Sequence, residues 1–200
     1  MNDLPPPTPS AAQAVLDFWF GRPDDPQYRL PRPAWFRRDE AYDTLIRQRF
    51  GAVIDAALDG RLAAWAATPH GALAEVIVLD QFTRNALRGS ARAFAGDARA
   101  LAAARAMVAR GDDRRLGGVQ RQFVYLPYEH AEDLATQREA LALLAELQRA
   151  EPATGELLRW AQAHHDIIER FGRFPHRNAV LGRVSTAAEE AFLRQPGSGF

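Results

Sequence analysis

Three polar side chains fall where helical periodicity calls for apolar ones. Asp80 lies seven residues after Leu73, four after Val76 and three after Ile77. His130 precedes Leu134 by four residues and Leu141 by eleven; His164 follows Leu157 by seven and precedes Ile168 by four. Residues at these offsets share one face of a helix, so each should point toward its helix's core. A buried polar group must find a partner or cost a few kcal/mol. Glu129 and Asp133 flank His130, and Asp166 follows His164. An imidazole oriented by a carboxylate is the usual equipment of general acid–base chemistry. The acid–base candidates are therefore His130, His164, Glu129, Asp133 and Asp80.

Cationic groups supply the other half of a possible site. Arg84 and Asn85 follow Asp80, with Arg88 beyond them. From Arg170 to Arg183 the chain carries four arginines, His176 and no acidic residue. Guanidinium groups bind carboxylates and phosphates in two-pronged fashion. The ligand-binding candidates are Arg84, Asn85, Arg170, Arg173, His176, Arg177 and Asn178, with Arg173 and Arg177 as the expected clamp on a small anionic molecule. Two plainer readings stand beside this one. The arginines can cap helix C-termini and pair with the acids of residues 129–133, forming a buried ion network that fixes helix register. The other is a scaffold that holds a peptide, which rests on the tetratricopeptide-like array that the family resemblance described below implies.

Other chemistries are narrowed by what the sequence lacks. All 25 basic residues are arginine, which excludes Schiff-base chemistry and a P-loop lysine. With no cysteine there is no disulfide and no thiolate metal site. No GxSxG elbow, GxGxxG fingerprint or Walker loop is present. His130, Asp133 and His164 could supply nitrogen and oxygen ligands, but HExxH and repeated ExxH patterns are missing, so no metal is assigned and any cofactor is unidentified. The 25 basic and 25 acidic side chains balance, which argues against a nucleic-acid partner despite Phe171 and Phe174 among the arginines. No apolar stretch approaches the length of a membrane span, and a cytoplasmic location is expected.

The elements that must position these residues read as helices. Ser10 with Gln13 makes a capping-box pattern ahead of Val15, Phe18 and Trp19, and Gly21 stops that helix. Residues 1–9, with three consecutive prolines, read as a loose tail, and 10–200 as one domain. Residues 22–38 form a proline-rich loop that Trp35 and Phe36 should pin to the core. A helix from Asp39 to Gly60 follows. Thr68-Pro69 then opens a helix, apolar on nearly every side through Gln81. Further helices are expected from Ser90 to Gly111, from Pro127 to Arg149 and from Thr154 to Gly172, with a last one capped by Thr186 and Glu189. Strand signals are poor and no internal repeat is apparent. The expectation is an all-α single domain of seven to nine helices in a layered or right-handed array.

Three segments resemble a bacterial family filed as domain of unknown function 924. They are Leu79-Asp80-Gln81-Phe82 with Arg84-Asn85, then Tyr125 through Leu134, then Asp166 through Asn178. Leu181-Gly182-Arg183, Ser185-Thr186 and the opening Val15 to Gly21 fit as well, so the likeness spans nearly the whole chain. The resemblance implies a tetratricopeptide-like helical array and assigns no activity. Thr83 stands where the family usually has proline, and Ala131 where it usually has serine, which removes a possible hydroxyl nucleophile.

Overall fold

The structure, a computed structural model, describes residues 10–154 and 156–198. Among these residues there is no strand, and the fold is an all-α single domain. The principal helices are α1 (Ser10–Phe20), α2 (Glu40–Leu58), α3 (Pro69–Val76), α4 (Thr83–Ala86), α5 (Asp97–Arg110), α6 (Gly118–Glu129), α7 (Leu134–Ala150), α8 (Leu157–Phe171) and α9 (Ala187–Leu193). A π-helical segment, Ile77–Phe82, joins α3 to α4 without a break. None of the described helices is long and apolar enough to cross a membrane. The expected tail at residues 1–9 lies outside the described residues.

Caps explain most of the helix boundaries. The Asp39 carboxylate accepts from the backbone N–H groups of Ala41 and Tyr42, and the Thr68 hydroxyl accepts from that of Gly71. Gly111 and Gly172 end α5 and α8 in the left-handed conformation, at φ of 71° and 69°. Thr186 and Glu189 form the reciprocal capping box that opens α9.

Several expected boundaries move. Ser10 is already helical, and the Gln13 side chain donates to Asp17 instead of reaching back. Ser90 caps only a 3-10 turn at Ala91–Phe94, and α5 starts at Asp97. Thr154 ends a short turn, and α8 starts at Leu157. The largest correction concerns Pro127, which lies inside α6 and does not open a helix. Gly117-Gly118 opens α6, His130 terminates it, and Asp133 caps α7 by accepting from the backbone N–H and hydroxyl of Thr136. Proline is favoured in a first helical turn but does not guarantee one. Here the polar stretch His130–Asp133 is the true break.

One continuous apolar core gathers α1, α2, the α3–α4 rod, α5, α6 and α7. Val76, Ile77, Val78 and Leu79 are fully buried, as expected of a central rod. Trp35 stacks on Trp19 with ring centroids 5.8 Å apart, and its indole N–H donates to the Trp19 carbonyl, which ties loop 22–38 to α1. Phe36 joins only at the edge: its ring lies 6.3 Å from Trp35 and stacks 6.4 Å from the buried Phe123, but is itself 65% exposed. A smaller cluster of Ile167, Ile168 and Phe174 sits beneath the C-terminal segment.

The π-helical turn is the local feature on which the site depends. The N–H of Thr83 bonds five residues back to Val78, so carbonyls within the turn lose their ordinary partners. Side chains replace them. The Thr83 hydroxyl donates to the Leu79 carbonyl at 2.8 Å, and Arg84 Nη1 donates to that of Asp80 at 2.7 Å. Gly96 lies directly against this turn, where an added Cβ would fall inside contact distance of the Leu79 carbonyl. Gly96→Ala should therefore destabilise the protein by about 1–3 kcal/mol, the cost of overpacking a close approach. Urea unfolding measures it, and a wild-type midpoint would show that α5 can move off the rod freely.

Candidate functional site

Asp80 is delivered by the π-helical turn into a position with 1% exposure. One carboxylate oxygen lies 2.7 Å from His130 Nδ1 and 2.9 Å from Arg84 Nη1; the other accepts from Gln81 at 2.6 Å. Burial works to raise the carboxyl's pKa, but the Arg84 charge and then His130 outweigh it and hold the group below the usual carboxylate range. Asp80 is thus an anion at neutral pH. His130 moves the opposite way to the usual salt-bridged histidine. Burial and the Arg84 charge lower its pKa, and Asp80 only partly offsets them. The neutral ring then donates its Nδ1 proton to Asp80 and leaves Nε2 as the basic nitrogen.

A second histidine–carboxylate pair faces the first. His164 Nδ1, on α8, lies 2.9 Å from both the Glu129 carboxylate and the Trp160 carbonyl. The His130 and His164 rings are 6.0 Å apart between centroids. Glu129 ends α6, one residue before His130, so one helix terminus supplies a member of each pair.

Guanidinium groups surround the pair, each held from behind by an aspartate. Asp97, at the start of α5, accepts from Arg84 at 3.0 Å and Arg177 at 3.1 Å. Arg177 also donates to the His130 carbonyl at 3.0 Å, and its ring-facing plane lies over Phe94 and Phe174. Its Nε is buried and has no hydrogen-bond partner. Burial, then Arg84, lowers the Arg177 pKa to about 10, so it remains a cation at neutral pH. Arg88 grips Asp43 with two hydrogen bonds of 2.6 and 3.1 Å, and Asn85 donates to the same carboxylate.

Two adjoining cavities meet at this cluster. One, of about 310 Å³, is lined by Arg84, Arg88, Glu129, His130 and His164 together with Trp35, Phe36, Leu126, Leu157 and Trp160. Arg37 and Arg38 stand at its edge, and among the described residues Arg38 has no ion-pair partner. The other, of about 280 Å³, shares Arg84, Arg88, His130 and His164 and adds Phe94, His176 and Arg177. Burial and the adjacent Arg177 push the His176 pKa down to about 4.

The sequence candidates divide cleanly. Arg84, Asn85, Glu129, His130, His164, His176 and Arg177 line the cavities, and Asp80 lies behind His130 without lining either. Asp133 is the N-cap of α7, and Arg173 is bound by Glu189 and the Val184 carbonyl. Asn178 binds Ser185 and Arg183, and Arg170 is exposed over Phe171. None of these four lines either cavity. Among the described residues, ligand atoms close enough for a cation occur at His165, Asp166 and Glu169 on α8, not at His130, Asp133 and His164. The candidates missed are Asp97, hidden as an ordinary first-turn acid, and the aromatic wall of Trp35, Phe36 and Trp160. Glu132, one of the acids of residues 129–133, pairs with the arginine-rich loop as the plainer reading expects. It accepts from Arg183 at 2.6 Å and from the Phe174 N–H at 2.7 Å, and so anchors the C-terminal loop.

Fold and site together define an all-α protein in which buried carboxylate–histidine pairs meet a ring of arginines. The chain belongs to the family described as bacterial protein of unknown function DUF924, whose profile matches residues 15–197. It is similar to a solved structure described as a protein of unknown function, ATU0120, from Agrobacterium tumefaciens. The two are 37% identical with a TM-score of 0.79, and the match covers 94% of this chain and 99% of that one. None of the curated proteins matches the chain.

The depressed histidines give stability a definite pH dependence. A histidine whose folded pKa lies below its unfolded value of about 6.5 stabilises the fold above that pH, and this contribution is lost as pH falls toward the folded value. His176, His130 and His70 all shift this way. The lowered carboxylates Asp80, Asp43 and Glu132 lose their contribution only below the ordinary carboxylate range. Unfolding free energy should therefore fall between pH 6.5 and 4, with His176 contributing on the order of 2–3 kcal/mol. Urea titrations at pH 7, 5.5 and 4.5 should show this slope, flattened in His176→Gln; an equally steep slope in the variant would assign it to the other two histidines.

Proposed function

We propose that the joined cavities bind a small anionic molecule and that His130 exchanges a proton with it. The observation that supports this most is the placement of one imidazole. The His130 ring has its Nδ1 proton fixed by a buried aspartate, and it lies in the wall of a cavity bordered by Arg84, Arg88 and Arg177. The buried carboxylate selects the tautomer and would stabilise the imidazolium formed on proton transfer, the arrangement that general base catalysis needs. The wall of the smaller cavity has three arginines and no acidic side chain, whereas Glu129 and Glu156 line the larger one. Cavities of about 310 and 280 Å³ suit a small molecule better than the peptide expected of a scaffold.

One observation favours a structural reading instead. Arg84, Arg88 and Arg177 are each compensated by Asp80, Asp97 or Asp43, so the same contacts form a buried ion network that locks α2, α5, α6 and the C-terminal loop together. Such networks can fix register without binding anything.

Diethyl pyrocarbonate, which acylates neutral imidazole nitrogens, separates the two readings. With mass-spectrometric mapping at pH 7, His130 should be modified, and inorganic phosphate or acetate should slow this severalfold while His70 reacts at an unchanged rate. Unchanged modification of His130 in the presence of either anion, or no modification at all, would leave the ion network as the better account.

A further inference from the structure

The two cavities differ in chemistry on either side of the four residues they share. Beyond Arg84, Arg88, His130 and His164, one arm carries the apolar side chains Trp35, Phe36, Leu126, Leu157 and Trp160, set among the polar Gln81 and Asn85 and the charged Arg37, Arg38, Glu129 and Glu156. The other arm is walled by Arg177 and His176 with the edge of Phe94. A free inorganic anion needs only the second arm. The first arm also carries two large aromatic side chains that the fold leaves in solvent, Phe36 at 65% and Trp160 at 49% exposure. Phe36 comes from the loop after α1 and Trp160 from α8, so elements far apart in sequence bring apolar surface to one cavity mouth. Exposed aromatic rings gathered at a concave site mark a place where apolar surface is covered by a ligand.

We infer that the ligand is an amphipathic anion: a carboxylate or phosphate group seated among Arg84, Arg88 and Arg177, joined to an aromatic or branched hydrocarbon body lying against Trp35, Phe36 and Trp160. This rests on the anion-binding reading given above and adds the substrate class. The junction between head and body then falls at the shared residues, beside the two histidines. The cavity's volume of about 310 Å³ accommodates a body of one or two rings but not a folded segment of another chain.

Matched probes test the inference on the full chain. Isothermal titration calorimetry compares inorganic phosphate with phenyl phosphate, and acetate with phenylacetate. In at least one pair the phenyl member should bind about 30-fold more tightly, the factor expected for burying one ring. Trp160→Ala, a change at a half-exposed position, should reduce that advantage about tenfold and leave the affinity for the head group alone unchanged. Equal affinities within both pairs, or a Trp160→Ala variant that keeps the full phenyl advantage, would overturn the amphipathic ligand while leaving the anion site intact. Failure of all four probes to bind would remove the anion site itself, and the inference with it. Tight binding of neutral benzyl alcohol, equal to that of the phenyl anions, would show that the arginines do not choose the ligand.

Discussion

A carboxylate with almost no access to water is the constraint around which the rest of this structure is arranged. Desolvating an anion costs several kcal/mol unless hydrogen bonds and opposite charge surround it. Asp80 receives both from Arg84, His130 and Gln81. Arg84 then needs a second anion and finds Asp97; Asp97 in turn holds Arg177, whose other arm takes the His130 carbonyl. The chain of obligations closes on the residue next to where it began. Four segments distant in sequence are thereby required to meet at one point, and removing any one partner leaves a buried charge exposed to the interior.

That closure explains why the backbone departs from regular helix where it does. The π-helical turn at Ile77–Phe82 sets Asp80 and Arg84 so that they pair with each other while Asp80 also reaches His130 and Arg84 also reaches Asp97. The turn frees carbonyls, and Thr83 and Arg84 bind them. Gly96 permits α5 to approach the turn closely enough for Asp97 to bridge two arginines. The short break at His130–Asp133 is likewise built in. Gln137 of α7 donates to the Glu129 and Ala131 carbonyls, holding the break rigid, while Glu132 binds the loop that carries His176 and Arg177. Ala131 sits within this clamped turn, where its carbonyl rather than a side chain makes the contact.

The electrostatic consequence is a pair of imidazoles in unlike settings. His130 is kept neutral by burial and Arg84 while resting on a permanent anion. His176 nearby is kept neutral by burial and Arg177. Positive charge near the cavities therefore comes from arginine, which burial cannot easily discharge.

By itself the sequence determined the helical class, the ends of most helices and some of the buried polar residues, Asp80 and His164 among them. These are local matters. A 3.6-residue apolar period, a glycine at a left-handed C-terminus and an aspartate or threonine cap each act within a turn or two of chain. It also marked Asp80, His130 and His164 as residues out of place on apolar faces, although His130 was put on the wrong helix because Pro127 resembles a helix start. What only the tertiary structure decided is which charges face one another. Arg173 and Arg177 lie four residues apart in one arginine-rich loop, yet one is captured by Glu189 and the other reaches Asp97. Asp133 and Asp80 are equally plausible acids, yet one caps a helix and the other orients a histidine. Pairing depends on distances between elements dozens of residues apart, and no period along the chain encodes those distances.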